Sequence, residues 1–191
     1  MSIEPILDIR HERIISEIEK ISKDKEVLVV GAGDCKKDYH LIKKGYKVYS
    51  TDYQRSSVFD KKMKPYFNTL DFHISNIFDV NSFPTKQSEV VLCCEVLEHL
   101  KDYKIALENL LTLTSKRLIV TVPWRHSFND PSPPPEGHCN HWDDNETPTY
   151  KSIYEFEKLC HPNKVYVEKI LTKERDLQMN QRSYLIIIDK V

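Results

Sequence analysis

Short apolar runs alternating with helix-period segments are the feature that most narrows the fold of this 191-residue chain. Glu26 to Val30, Tyr46 to Thr51, Leu70 to Ser75, Ser88 to Cys94 and Leu118 to Val122 read as strands. The clearest, Val27-Leu28-Val29-Val30, has no polar alternation, the pattern of a parallel strand covered on both faces. Helical segments separate the runs. Lys36 to Lys44 is closed by Gly45 as a left-handed cap, and Ser56 to Lys64 is stopped by Pro65. Tyr103 to Thr114 puts Tyr103, Leu107, Leu110 and Leu111 on one face, with Asp102 as its N-cap. An opening helix aligns Leu7, His11, Ile14, Ile15, Ile18 and Ile21. This order predicts an α/β fold: a doubly wound, parallel sheet with helices on both faces.

After Pro123 the pattern changes. Trp124 to Glu146 carries four prolines within 131–135, two tryptophans and three histidines, with no helical or strand period. A loop of that length inside a domain is usually functional. Thr147-Pro148 then has the cap-then-proline order that starts helices, predicting one to about Cys160, before Pro162. Lys164 to Leu171 and Arg182 to Asp189 are β-rich with no helix between them, so they are expected to pair antiparallel. Seven strands result, mostly parallel, the last antiparallel. A single domain is expected at this length, divided as 1–25 (N-terminal helix), 26–123 (core), 124–146 (loop) and 147–191 (C-terminal helix and strand pair).

Composition removes several functional classes. With 40% hydrophobic and 30% charged residues the chain is neither a disordered tail nor a fibrous repeat. No apolar stretch approaches the ~18–20 residues of a spanning helix, and Met1 to Lys25 is unlike a secretory signal. A cytoplasmic protein with no membrane partner is expected. The five cysteines form no CxxC pair, so reduced thiols are expected. Lys36 to Lys64 holds nine Lys or Arg against three Asp, which reads as solvated helix faces. A net charge of −1 and a pI near 6.7 argue against a nucleic-acid partner.

In a doubly wound sheet, ligands bind outside the carboxyl ends of the strands. The first strand exits into Gly31-Ala32-Gly33, where glycine lets the main chain approach a ligand. Asp52 lies 21 residues after Gly31, at the end of the second strand, the spacing of a carboxylate that accepts from ribose hydroxyls. Together they point to a nucleoside-containing cofactor. Singly, the glycines also fit an ordinary strand-to-helix turn, and Asp52 a turn or cap. Lys36 stands where a dinucleotide fingerprint needs a third small residue, which disfavours a nicotinamide-dependent oxidoreductase, and a phosphate-binding P-loop is absent.

The fourth strand leads into Glu95-Val96-Leu97-Glu98-His99, two carboxylates and an imidazole at the sheet's carboxyl edge. With Val27 to Cys35, Val48 to Asp52, His73 to Pro84 and Leu118 to Pro123, this stretch resembles the class I S-adenosylmethionine-dependent methyltransferases, type 11-like. The resemblance covers most of residues 26–123 and implies a methyltransferase with S-adenosyl-L-methionine as cofactor. By position it implies that Gly31, Ala32 and Gly33 pass beneath the methionine portion and that Asp52 binds the ribose hydroxyls. Tyr53 would pack against the adenine, Asn76 would contact its amino group with Ile77 beside it, and Glu95 would stand near the methionine or the methyl. Two positions depart from the family pattern: Cys35 replaces the third loop glycine, and Val29 replaces an acid that often precedes the first.

Methyl transfer from a sulfonium needs a general base only when the acceptor must lose a proton. His99 is the candidate for that role or for acceptor binding; packing at the start of the next helix is the other reading. In related methyltransferases the loop after strand five often walls the acceptor site, so Trp124, His126, His138 and His141 are candidate contacts with a small-molecule methyl acceptor. The loop's five acidic residues and no Lys or Arg from His126 to Thr149 suit a neutral or cationic acceptor. His138, Cys139, His141 and Asp143 are all zinc-ligand types, but a hydrogen-bonded, proline-stiffened lid without metal is the preferred reading. The alternative function is a non-catalytic nucleoside-binding or scaffold domain.

Overall fold

The computed structural model describes residues 9–21, 26–57, 70–124, 137–147, 149–173 and 180–191. Its centre is a seven-stranded sheet built from β1 (Glu26–Val30), β2 (Lys47–Asp52), β3 (Asp71–Ile74), β4 (Ser88–Cys94), β5 (Thr114–Pro123), β8 (Lys164–Lys173) and β9 (Asn180–Asp189). The spatial order is β3-β2-β1-β4-β5-β9-β8. β1 pairs in parallel with β2 (Val27 opposite Val48) and with β4 (Val27 opposite Val90). β9 runs antiparallel to both neighbours, with Val120 opposite Ile186 and Val167 opposite Ile186. The predicted doubly wound, mostly parallel sheet with an antiparallel last strand is the observed one.

Alternate residues of each strand feed separate cores, the expected outcome of a period of two in a sheet covered on both sides. Val27, Val29, Val90, Leu92, Ile119 and Leu185 pack with Ile14, Ile15 and Ile18 of α1 (Ile9–Glu19) and Leu41 of α2 (Lys36–Lys43). Leu28, Val30, Val91, Leu118, Val120 and Ile186 pack on the other face with Leu107 and Leu110 of α3 (Tyr103–Leu113) and Phe156 of α4 (Glu155–Leu159). α1 is also tied by charge. Arg117 of β5 holds Glu17 at 2.7 Å and Asp189 of β9 at 2.6 Å. At the end of α2, Gly45 (φ 84°) and Tyr46 donate to Ile42 and Leu41 carbonyls, the predicted left-handed cap.

Three local expectations are corrected or fall elsewhere. Thr147-Pro148 does not start a helix: the Thr147 and Tyr150 backbones bond to each other, and Lys151–Ser152 (β7) pairs with Trp142–Asp143 (β6). The helix begins only at Glu155. A strand pairing between segments nine residues apart has overridden a capping signal confined to adjacent residues. Asp102 stands at the N-cap of α3, but its side chain makes no capping bond. The predicted Ser56 to Lys64 helix lies mostly outside the described residues. Among the described residues no helix is long and apolar enough to cross a membrane.

Candidate active site

β1 sits between β2 and β4, so the chain turns in opposite directions from neighbouring strands and leaves a crevice at their carboxyl ends. A cavity of about 920 Å³ opens there. It is lined by the exit loop of β1, by Asp52 and Tyr53 at the end of β2, by Asn76, Ile77 and Phe78 after β3, and by Glu95, Val96 and His99 after β4. All eight predicted cofactor residues border this one space.

The floor of the cavity is held by its own backbone. Gly31 and Ala32 both donate to the Thr51 carbonyl, at 2.9 and 3.0 Å, which binds the β1 exit to the end of β2. Gly31 has φ 76°, and a Cβ there would run into Val96 Cγ2. Gly33 has φ 58°, and a Cβ there would stand in open space. Asp52 is fixed from both sides: its Oδ2 accepts from Gly33 N–H at 2.9 Å and its Oδ1 from Tyr53 N–H at 2.8 Å. Each oxygen keeps a lone pair for a further donor. Asn76 Oδ1 accepts from Phe78 N–H at 3.0 Å, which orients the amide and likewise leaves one lone pair. Tyr53 is 73% exposed, its ring unclaimed by the core.

The two departures from the family pattern are structurally absorbed. Cys35 adopts the left-handed conformation itself, φ 59°, and is fully buried as the N-cap of α2. That backbone costs an L-residue about 1–2 kcal/mol, partly offset by burial of the thiol. Val29 is buried on the α1 side of the sheet.

On the opposite wall, Glu95 also has positive φ, 54°, where β4 ends. Strain of this kind in a non-glycine residue clusters at functional sites. Its carboxylate pairs with Arg10 at 3.3 Å and accepts from Ser183 Oγ at 3.2 Å. Arg10, together with His11, also lines the cavity. Sequence reasoning missed both, because α1 carries only an amphipathic pattern with no binding signature.

Beyond Glu95 the chain makes a tight turn over Leu97–His99, onto which the segment 137–140 is laced. The Glu98 carbonyl accepts from Cys139 N–H at 2.6 Å and Asn140 N–H at 3.0 Å, and the Asn140 amide donates to the Leu100 carbonyl at 2.6 Å. His99 Nδ1 donates to the Gly137 carbonyl at 3.1 Å. The result is a layer of imidazoles: His99 and His138 meet edge to face at 4.5 Å, and His138 stacks on His141 at 5.0 Å with ring nitrogens 3.0 Å apart. Burial, then the neighbouring imidazoles, push His141 down to about 4 and His138 down as well. Glu98 is 1% exposed; burial, then the charge of Glu95, push it up to about 8.

The described candidate acceptor residues lie in two places. His138 and His141 form this layer with His99, while only His99 borders the cavity itself. Trp124 meets Tyr184 in a tilted contact at 5.7 Å with Lys169 over its ring, away from the cavity lining. His126 lies outside the described residues. Trp142 is fully buried against Tyr103 and Phe156, so it is a core residue and not part of a lid. The expected acidic character is also reduced, because Asp144 is paired with Lys169 and accepts from Tyr184 Oη at 2.9 Å. Asp143 accepts from Asp144 N–H at 2.7 Å.

Comparison with known proteins agrees with this geometry. Residues 28–117 match the methyltransferase domain family. No curated protein matches the sequence. Among solved structures, magnesium protoporphyrin IX methyltransferase from Synechocystis with bound S-adenosylmethionine is 15% identical, with TM-score 0.61, covering 95% of this chain and 80% of that one. A methyltransferase from Archaeoglobus fulgidus is 16% identical, with TM-score 0.64, covering 95% and 93%. The 1,6-didemethyltoxoflavin N1-methyltransferase of Burkholderia thailandensis is 12% identical, with TM-score 0.65, covering 96% and 77%. The chain has the fold of these S-adenosylmethionine-dependent methyltransferases, and its residues 28–117 match the methyltransferase domain model.

Proposed function

We propose that the chain binds S-adenosylmethionine in the crevice between β1, β2 and β4 and methylates a small-molecule acceptor. The carrying observation is Asp52, whose two oxygens are held by Gly33 and Tyr53 N–H groups at the mouth of a cavity large enough for a nucleoside cofactor. Asp52 would take the ribose hydroxyls, Tyr53 and Ile77 the adenine faces, and Asn76 the adenine amino group. The Gly31-Ala32-Gly33 loop and Glu95 would enclose the methionine end. When bound, the cofactor supplies an electrophilic methyl on a sulfonium. The protein's residues supply position and exclude water, and alignment alone contributes about 7–11 kcal/mol to such a reaction.

His99 stands where the cofactor cavity meets the segment 137–141. Because Nδ1 donates to Gly137, a neutral His99 offers the lone pair of Nε2 to whatever lies beside it. That suits contact with an acceptor or removal of its proton. We place the reaction in the cytoplasm, a reading supported by five free cysteines.

Calorimetric titration with S-adenosylmethionine and its demethylated product tests the assignment. Binding near one equivalent, lost in Asp52→Ala, is expected. No binding by the wild type, or unchanged binding by the variant, overturns it. Binding without transfer to a broad acceptor panel favours the scaffold reading instead.

A further inference from the structure

The turn after β4 brings together groups that do not satisfy one another. Glu98 Oε1 faces His99 Nε2 at 3.8 Å, beyond hydrogen-bonding distance. The proton of neutral His99 is on Nδ1, committed to the Gly137 carbonyl, so Nε2 presents a lone pair to the carboxylate. A ring nitrogen of His138 completes the group, and the three donor atoms all lie within 4.8 Å of one another. Glu98 Oε2 is buried and, among the described residues, has no hydrogen-bond partner. Donor atoms that converge beside a buried carboxyl oxygen with no partner among the described residues make a place for a cation.

We propose that Glu98, His99 and His138 form a site for a divalent first-row metal ion. Two imidazoles and one carboxylate are the donor set of zinc, iron(II) and cobalt(II), and a poor one for magnesium or calcium, which prefer oxygen. Ligand atoms about 2.0–2.2 Å from a tetrahedral metal stand roughly 3.5 Å apart, so small side-chain rotations close the group. Orientation is already built in. His99 donates its second ring nitrogen to a carbonyl, and His138 shares a proton with His141 at 3.0 Å, as ligating histidines do. Three protein ligands leave positions open, and His99 borders the cavity. The site therefore points to an oxygen acceptor, whose hydroxyl would coordinate there and release its proton to water more readily, with His99 serving as ligand in place of base. The acceptor role rests on the proposed function above; the metal site does not.

The test uses the full chain, stripped with a chelator and titrated with cobalt(II) alone. One equivalent with visible absorption is expected, with no response to magnesium. Glu98→Gln and His138→Asn are each expected to weaken binding at least tenfold while circular dichroism shows them folded. Absent stoichiometric binding, or cobalt affinity unchanged in both folded variants, overturns the site. Azide added to the cobalt protein is expected to shift the spectrum; no shift means the positions are closed and overturns the acceptor role. S-adenosylhomocysteine is titrated into the same preparation, so loss of cofactor binding with cobalt binding intact refutes the cofactor reading and leaves the metal site standing.

Discussion

The two walls of the cavity are built on opposite principles. On the β1–β2 side the main chain satisfies the charged group. Asp52 accepts from two backbone N–H groups, and its loop is bonded to the Thr51 carbonyl. On the β4 side, polar groups are less well matched: Glu98 has a buried oxygen with no partner among the described residues, and His141 is held well below its ordinary range. The first wall has its charged group oriented in advance by main-chain donors, as the proposed cofactor site requires. The second stores electrostatic cost, which in enzymes accumulates where chemistry is done.

The comparison can be broken at several points. The largest effect is expected from Asp52→Ala: the two charged hydrogen bonds proposed from its carboxylate to ribose hydroxyls would be worth about 3–6 kcal/mol, so calorimetry should show affinity for S-adenosylhomocysteine falling at least a hundredfold. Next is Gly31→Ala, which combines a left-handed backbone with a collision at Val96; thermal unfolding should show a loss of about 2–4 kcal/mol.

Glu98→Gln tests the opposite wall. The wild-type carboxyl is raised to about 8, so the native state binds its proton more tightly than the unfolded chain does. Its stabilising contribution is complete below the unfolded value near 4.5 and is lost as pH rises through about 8. Metal-free Glu98→Gln should therefore unfold at higher temperature than wild type at pH 9, by roughly 2 kcal/mol, with the gap closing at pH 5. His141 has the reverse sign. Depressed to about 4, it supports the fold above its ordinary 6.5 and loses that support as pH falls through about 4. His141→Asn should flatten the acid limb of the stability profile, an effect of about 1 kcal/mol at pH 4.5. Cys35→Gly should be smallest, within about 1 kcal/mol, because relief of the left-handed backbone offsets the lost burial.

What the sequence revealed divides along the same line. Strands covered on both faces leave continuous apolar runs, so Val27–Val30 and Ser88–Cys94 were readable within a residue. The receptor wall was readable because its parts are set by spacing along consecutive elements: Gly31, Gly33 and Asp52 each follow a strand. The helix at Thr147 was misread because a capping signal describes only local preference, and 151–152 were claimed by 142–143. Trp142 looked like a lid residue for the same reason; nothing near it in sequence announces Tyr103 or Phe156 as neighbours. The imidazole layer was hidden most deeply. His99 and Gly137 are 38 positions apart, and they meet through backbone bonds that residue type does not foretell.

Cys35 has a consequence for kinetics. Its thiol is buried, and burial holds it far above the range in which a thiolate reacts, whereas Cys139 is exposed. An alkylating reagent should therefore consume one thiol at once and reach Cys35 only through the transient opening of the loop that carries Gly31 and Gly33. Mapped residue by residue to separate it from the buried Cys93, Cys94 and Cys160, the labelling of Cys35 is then a clock for that loop. Any ligand that seats on the loop should make it run slower.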